Sequence, residues 1–218
     1  MTDKLTFYTH PMSRARIARW MLEETGLPYD EVVLDYGTTM KSPEYLAINP
    51  MGKVPALRHG DAIITENAAV CAYLAELVPE KGLAPPVGSP GRGAYYRWLF
   101  FLAGPVESVF TAKQAGAFAE PTNAGYGSEA DVLRVLEEAV AGKEFLVGDR
   151  FTAADLYMAA FLGYYMFIGM LEKRPAFVAY ASQHAQRPAA IAARARDDAL
   201  VPAHPHPAQS NANTKGKH

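Results

Sequence analysis

Asn49-Pro50-Met51-Gly52-Lys53-Val54-Pro55-Ala56-Leu57, followed by Thr65-Glu66-Asn67, is the stretch on which the reading of this chain turns. An apolar strand that begins Val54-Pro55 is unusual, because proline cannot donate to a ladder and belongs at a strand's first position or edge. If the bond before Pro55 is cis, the N–H and C=O of Val54 turn outward and can pair with an extended peptide. Glu66 and Asn67 fall at the start of the following helix. Free N–H groups and the helix dipole favour a carboxylate there, while the Glu66 carboxylate is placed to hold an ammonium. A ligand with a backbone-like amide, a free carboxylate and a free amine fits these groups.

Working outward, Leu5–Tyr8 suits a short strand, with Leu5 and Phe7 on one face. Pro11 breaks the chain. Ser13 to Thr25 then reads helical, with Ile17, Met21 and Leu22 on one face, Ser13 as N-cap and Gly26 as the stop. Tyr29–Leu34 reads as a second strand, and strand, helix, strand at this spacing predicts a parallel pair. Ser42-Pro43 opens a short helix that Asn49-Pro50 ends. Val54–Arg58 and Ala62–Thr65 read as a hairpin turning at His59-Gly60-Asp61, and Glu66–Leu77 as a helix closed by Pro79. Residues 1–80 are thus a small α/β domain. Residues 81–92, with three glycines and three prolines, read as a linker. Residues 93–200 read as an all-helical bundle with helices over Tyr95–Phe118, Glu129–Ala141, Ala153–Phe167, Ala176–Gln186 and Ala189–Arg196. Residues 201–218, with Pro202, Pro205, Pro207 and three of the six histidines, read as a disordered, solvated tail rather than a metal site.

The chain has 218 residues, long enough to bury roughly 70% of its unfolded surface without disulfides. Its 21 Lys plus Arg against 23 Asp plus Glu leave a net charge of −2, which argues against phosphate-driven nucleic-acid binding. The single cysteine, Cys71, excludes a disulfide framework, CxxC chemistry and multi-Cys zinc sites. No run of about 18 apolar residues is present, so no membrane span is expected, and the N-terminus has no apolar signal segment. The expected location is the cytoplasm. P-loop, zincin and nucleophile-elbow motifs are all missing.

The sequence resembles the cytosolic glutathione S-transferases of the bacterial, serine-type kind. The resemblance rests on HPMSRARIARWMLEE after the first strand, NPMGKVPAL before the hairpin, TENAAVCAYLAE on the third helix and FLVGDRFTAADL in the helical half. It covers residues 4–197. It implies a thioredoxin-like first domain, an all-helical second domain, glutathione as co-substrate without any metal, a small hydrophobic electrophile as second substrate, and a homodimer working in detoxification. The family usually has Glu-Ser at the start of the third helix. Here the pair is Glu66-Asn67, and Asn still donates to a carboxylate.

The resemblance also implies that the enzyme activates a thiol. A free thiol with pKa about 8.5 is only about 3% thiolate at pH 7. Lowering the pKa by about 2 units needs roughly 2.7 kcal/mol. One hydroxyl hydrogen bond to a charged acceptor supplies about 1.5–3 kcal/mol and a helix N-terminus about 0.3–1. Ser13 matches the serine-type pattern best. Thr9 and His10 stand where other classes, aligned differently, place this group, and Tyr8 belongs to the strand. The competing reading of Ser13 is a plain N-cap.

Lys41 and Lys53 are expected at the glycyl carboxylate, against the alternative of solvated surface lysines. Val54, Pro55, Glu66 and Asn67 complete the expected glutathione site. Trp98, Phe101, Phe110, Tyr164 and Tyr165 are expected to contribute to the electrophile pocket, with a core role competing for each. Met51 is read as a dimer anchor. Cys71 is read as a small buried hydrophobe, and Asp155, in Thr152-Ala-Ala-Asp155, as a structural capping-box residue. Peroxide reduction, dehalogenation and isomerisation are variants within the same reading. The alternative from another class is a non-catalytic interaction protein on the same fold; the retained Ser13, Val54, Pro55, Glu66 and Asn67 favour the enzyme.

Overall fold

A computed structural model describes residues 4–204. His206, His218 and most of the expected tail therefore lie outside the described residues. The chain forms two compact units, one built from the chain up to Leu74 together with the segment from Pro188, the other from Ala75–Arg187.

The first unit is organised by strand β1, Leu5–Thr9, whose Phe7 and Thr9 are fully buried. It pairs in parallel with β2, Tyr29–Val33, and antiparallel with β3, Ala56–His59, which pairs antiparallel with β4, Ala62–Thr65. The order is β2-β1-β3-β4. Gly60, with φ +58°, takes the left-handed position in the hairpin between β3 and β4. Tyr8 faces Ala56, and Ala56 faces Thr65, while Thr9 lies opposite Val33. The residues after β1, before β3 and after β4 consequently leave the sheet at one end.

Helix α1, Ala15–Thr25, lies between β1 and β2 and stops at Gly26, whose φ of +66° lets its N–H reach the Leu22 carbonyl at 3.0 Å. The expected start at Ser13 moves to Ala15, with Arg14 at the cap position. Helix α2 is a single turn, Pro43–Leu46, whose cap Ser42 accepts from the Tyr45 N–H at 3.3 Å. Helix α3 spans Asn67–Leu77. One apolar cluster, formed by Tyr8, Leu34, Met40, Tyr45 and Ala56, lies beneath the site end of the sheet.

The segment Pro188–Leu200, helix α9, belongs to this first unit and not to the helical one. Charge explains the placement. Arg19 on α1 is 1% exposed and bonds Asp197 at 2.8 Å, and it also pairs with Glu31. Arg16 holds Asp198 at 2.7 Å, and Arg196 donates to the Tyr29 hydroxyl at 2.8 Å. A buried guanidinium needs acidic partners, and α9 supplies one of the two. The chain continues through a turn at Val201–His204, where the His204 ring meets Asp35 at 2.7 Å.

The second unit contains helices α4, Pro90–Phe101, α5, Glu107–Ala115, α6, Glu129–Val140, α7, Ala153–Phe167, and α8, Pro175–Ala185. No strand occurs among its described residues. The expected single helix Tyr95–Phe118 is divided by a π-helical segment, Leu102–Val106, containing Pro105. Proline has no N–H to give, and the wider turn absorbs the missing bond. Helix α7 is buried along most of its length, with Asp155 fully enclosed.

Candidate functional site

Three segments converge at the site end of the first unit's sheet: Thr9–Ala15, Asn49–Pro55 and Thr65–Asn67. The first carries all three thiol-activating candidates. Ser13 is partly exposed, and its hydroxyl donates to the His10 carbonyl at 2.8 Å while accepting from the Ala15 N–H at 3.0 Å. The accepting bond polarises the O–H and strengthens it as a donor. Thr9 and His10 are both fully buried. The Thr9 hydroxyl has no hydrogen-bond partner among the described residues. The Met12 N–H donates to His10 Nδ1 at 3.1 Å, which places the proton of the neutral ring on Nε2. The His10 ring lies 4.5 Å from that of Tyr36.

The second segment is a turn locked from inside. Asn49 receives the Met51 N–H on Oδ1 at 3.1 Å and donates from Nδ2 to the Lys53 carbonyl at 2.8 Å. The Tyr45 hydroxyl donates to the same carbonyl at 2.6 Å. Burial pushes the Tyr45 phenol up to about 12, so it remains a donor at neutral pH. Gly52 has φ +56°, and a Cβ there would stand 2.6 Å from the Met40 carbonyl oxygen, so only glycine fits. The Val54–Pro55 bond is cis, and the antiparallel ladder begins one residue later at Ala56. Lys53 is exposed. Lys41 donates from Nζ to the Met51 carbonyl at 2.8 Å. Met51 itself is 63% exposed.

The third segment contains Glu66, which has φ +65° and is the one non-glycine residue with positive φ among the described residues. Such a conformation costs on the order of 1–3 kcal/mol and tends to persist at functional positions. The exposed Glu66 side chain stands immediately ahead of α3, and Asn67 donates from Nδ2 to the Arg14 carbonyl at 2.8 Å. That bond joins the third segment to the first. Sequence reasoning missed both this bond and Tyr45. Asn49 stood in the motif, but nothing in the pattern announced that Tyr45 would share its target.

The five aromatic residues expected at an electrophile pocket divide. Trp98, Phe110 and Tyr165 are buried in the helical unit. Phe110 and Tyr165 stack at 4.3 Å, and Phe161 lies 4.3 Å from Tyr165. Packing turns Trp98, Phe110 and Tyr165 inward, so they serve the core. Phe101 is partly exposed and Tyr164 is 48% exposed. Cys71 is fully buried, and burial pushes its thiol up to about 12, which removes it as a nucleophile. Asp155 accepts from Leu146 N–H, Thr152 N–H, Thr152 Oγ1 and Tyr180 Oη at 2.6–2.8 Å, which is a structural role. Among the described residues no group of three His, Cys, Asp or Glu side chains is placed to hold a metal, and no helix is long and apolar enough to cross a membrane.

A thioredoxin-like unit whose cis-proline turn, helix head and positive-φ acid meet at one sheet end, in a chain with a helical second unit, is the architecture of the glutathione S-transferases. The chain belongs to that family. The N-terminal domain of the family matches residues 11–77 and the C-terminal domain residues 123–188. Glutathione S-transferase GST-4.5 of Xanthomonas campestris pv. campestris is 30% identical, the match covering 71% of this chain and 79% of that protein. Glutathione S-transferase GstA of Escherichia coli O157:H7 is 31% identical, over 77% and 86% of the two chains. Among solved structures, a glutathione transferase of Methylococcus capsulatus superposes with a TM-score of 0.76 at 31% identity, covering 89% of this chain and 98% of the other. A sphingomonad glutathione S-transferase, solved in complex with glutathione, superposes with a TM-score of 0.73 at 30% identity, covering 88% and 98%.

Proposed function

We propose that this protein is a glutathione transferase: it binds glutathione at the site end of the first unit's sheet, stabilises its thiolate with Ser13, and delivers that sulfur to a small hydrophobic electrophile. The observation that carries the reading is the Ser13 hydroxyl, partly exposed and polarised by the Ala15 N–H at the head of α1. In the free protein this hydroxyl donates to the His10 carbonyl. A bond between neutral groups contributes about 1 kcal/mol, and a bond to a charged acceptor about 1.5–3, so a thiolate draws the proton away from the carbonyl. Full burial disfavours Thr9 and His10 as its rivals.

Glutathione's cysteinyl amide pairs with the backbone at Val54, beside Pro55. Its γ-glutamyl carboxylate meets the amides at the start of α3, and its ammonium meets Glu66. Lys53, exposed and adjacent, takes the glycyl carboxylate, with Lys41 available once it releases the Met51 carbonyl. Loss of the thiol proton to solvent leaves the sulfur lone pair free. In substitution this pair forms the S–C bond as the leaving group departs with its own electrons. In addition, water returns a proton to the adjacent carbon. Holding both reactants together supplies the rest of the catalysis. Phe101 and Tyr164, which keep open surface, are the apolar groups offered to the electrophile. The protein acts in the cytoplasm, in detoxification, as a homodimer in which the exposed Met51 side chain is an anchor.

The test is an ultraviolet pH titration of glutathione bound to the pure protein, following thiolate absorbance. A bound thiol well below its free pKa, moved back up in Ser13→Ala, supports the reading. Absence of binding overturns it in favour of an interaction protein. A shifted pKa that Ser13→Ala leaves unchanged moves the role to Thr9 or His10.

A further inference from the structure

The Asn67 side chain stands in the family's binding-serine position, yet one of its two Nδ2 protons is committed to the protein itself. Nδ2 bonds the Arg14 carbonyl at 2.8 Å, across 53 residues of chain. The same carbonyl accepts the Ile17 N–H at 3.0 Å in the first turn of α1. Arg14 lies between Ser13 and Ala15, whose N–H holds the Ser13 hydroxyl at 3.0 Å. Asn67 Oδ1 is buried without a partner among the described residues, so the Arg14 carbonyl alone sets which way the amide faces. A flipped amide would bring two oxygens together. A serine hydroxyl is one bond shorter and carries a single proton, so it cannot serve both a ligand and a carbonyl on another element.

We infer that Asn67 is a positioning residue for thiolate activation: through the Arg14 carbonyl it fixes the turn that aims Ser13, and so ties the γ-glutamyl end of the site to its sulfur end. This deepens the reading of Ser13 as the thiolate's donor and rests on it. Carboxylate recognition then rests chiefly on the backbone amides at the start of α3, which truncation of Asn67 leaves in place. Loss of the Asn67 side chain therefore affects sulfur activation more than glutathione affinity.

The experiment is a double-mutant cycle on the intact protein, Ser13→Ala, Asn67→Ala and both together. It reads the bound-thiol pKa, the glutathione Kd and kcat. The expected result for Asn67→Ala is a bound-thiol pKa raised by about half a unit or more, with kcat down about threefold to tenfold and Kd changed less than about threefold. In the Ser13→Ala background the same substitution adds no further pKa shift. Asn67→Asp, isosteric but without the donor, behaves like Asn67→Ala in kcat. Asn67→Ser retains affinity without restoring the pKa. Additive pKa effects, or a loss confined to Kd, would overturn the inference and return Asn67 to ligand binding. If Ser13→Ala alone leaves the thiol pKa unmoved, the Ser13 reading has failed and the Asn67 inference falls with it.

Discussion

Ser13 at the head of α1 and Asp155 at the head of α7 are both short polar side chains beside the start of a helix, and they have opposite fates. Asp155 is fully buried and its carboxylate receives four donors, from Leu146, Thr152 and Tyr180. Ser13 is partly exposed, and its one proton rests on a carbonyl that a charged ligand outbids. Around Asp155 no bonding capacity is left to offer. Around Ser13 stand a Thr9 hydroxyl and an Asn67 Oδ1 that have no partner among the described residues, and the positive-φ Glu66. A buried carboxylate whose bonds all go to interior donors holds a fold together, while a partly exposed hydroxyl that gives its proton to a neutral carbonyl can turn to a charged ligand.

The largest effect separating the two belongs to Asp155. Asp155→Ala strips four donors of a buried charged partner and should cost about 3–5 kcal/mol in urea unfolding. Bound-thiol pKa in whatever fraction stays folded should not change. Lost thiol activation with normal stability would break the comparison.

Asp197 is an intermediate case, buried against Arg19 with Oδ2 unpartnered among the described residues. Burial outweighs the attraction of Arg19, whose charge is divided between Asp197 and Glu31, and pushes this carboxyl up to about 6. Its unfolded value is near 3.9. Between those pH values the folded state binds the extra proton, so this group's contribution to stability falls as pH rises from about 4 to 6 and is level above. The advantage of the wild type over Asp197→Asn should shrink over that window by on the order of 3 kcal/mol. A pH-independent difference between the two proteins would remove Asp197 from this middle position.

Glu66→Gly relieves the positive φ and should raise stability by up to about 1 kcal/mol while weakening glutathione binding. A less stable variant would mean that Glu66 belongs with Asp155 as a structural residue. The smallest effect concerns Cys71. With its thiol held near 12, native protein should react negligibly with thiol reagents at pH 8 and only fully on unfolding. Rapid labelling of the native state would show a sulfur that the fold does not enclose.

Much of this organisation could be read without coordinates, and the exceptions share a cause. Strand and helix positions follow local period and punctuation, so β4 at Ala62–Thr65 and α7 at Ala153–Phe167 agree with the residues expected for them. The capping-box spacing of Thr152 and Asp155 is three residues, a distance over which local geometry suffices. The NPMGKVPAL and TEN motifs marked two of the three site segments. What escaped depended on partners far along the chain. Arg19 and Asp197 are 178 residues apart, and their burial against each other moves α9 into the first unit. Trp98, Phe110 and Tyr165 share helical faces with exposed neighbours, and only packing determined which rings turned inward.

By itself, the sequence determined the two-unit plan, the segments that meet at the sheet end and the candidate set Thr9, His10 and Ser13, because hydrophobic period, proline and glycine placement and capping act within a few residues. Only the tertiary structure decided which of those three keeps open surface, that Asn67 reaches across to Arg14, and that the last helix returns to the first. Those outcomes depend on which polar groups remain to be satisfied once the elements have packed, and a buried donor or charge finds its partner through space and not along the chain.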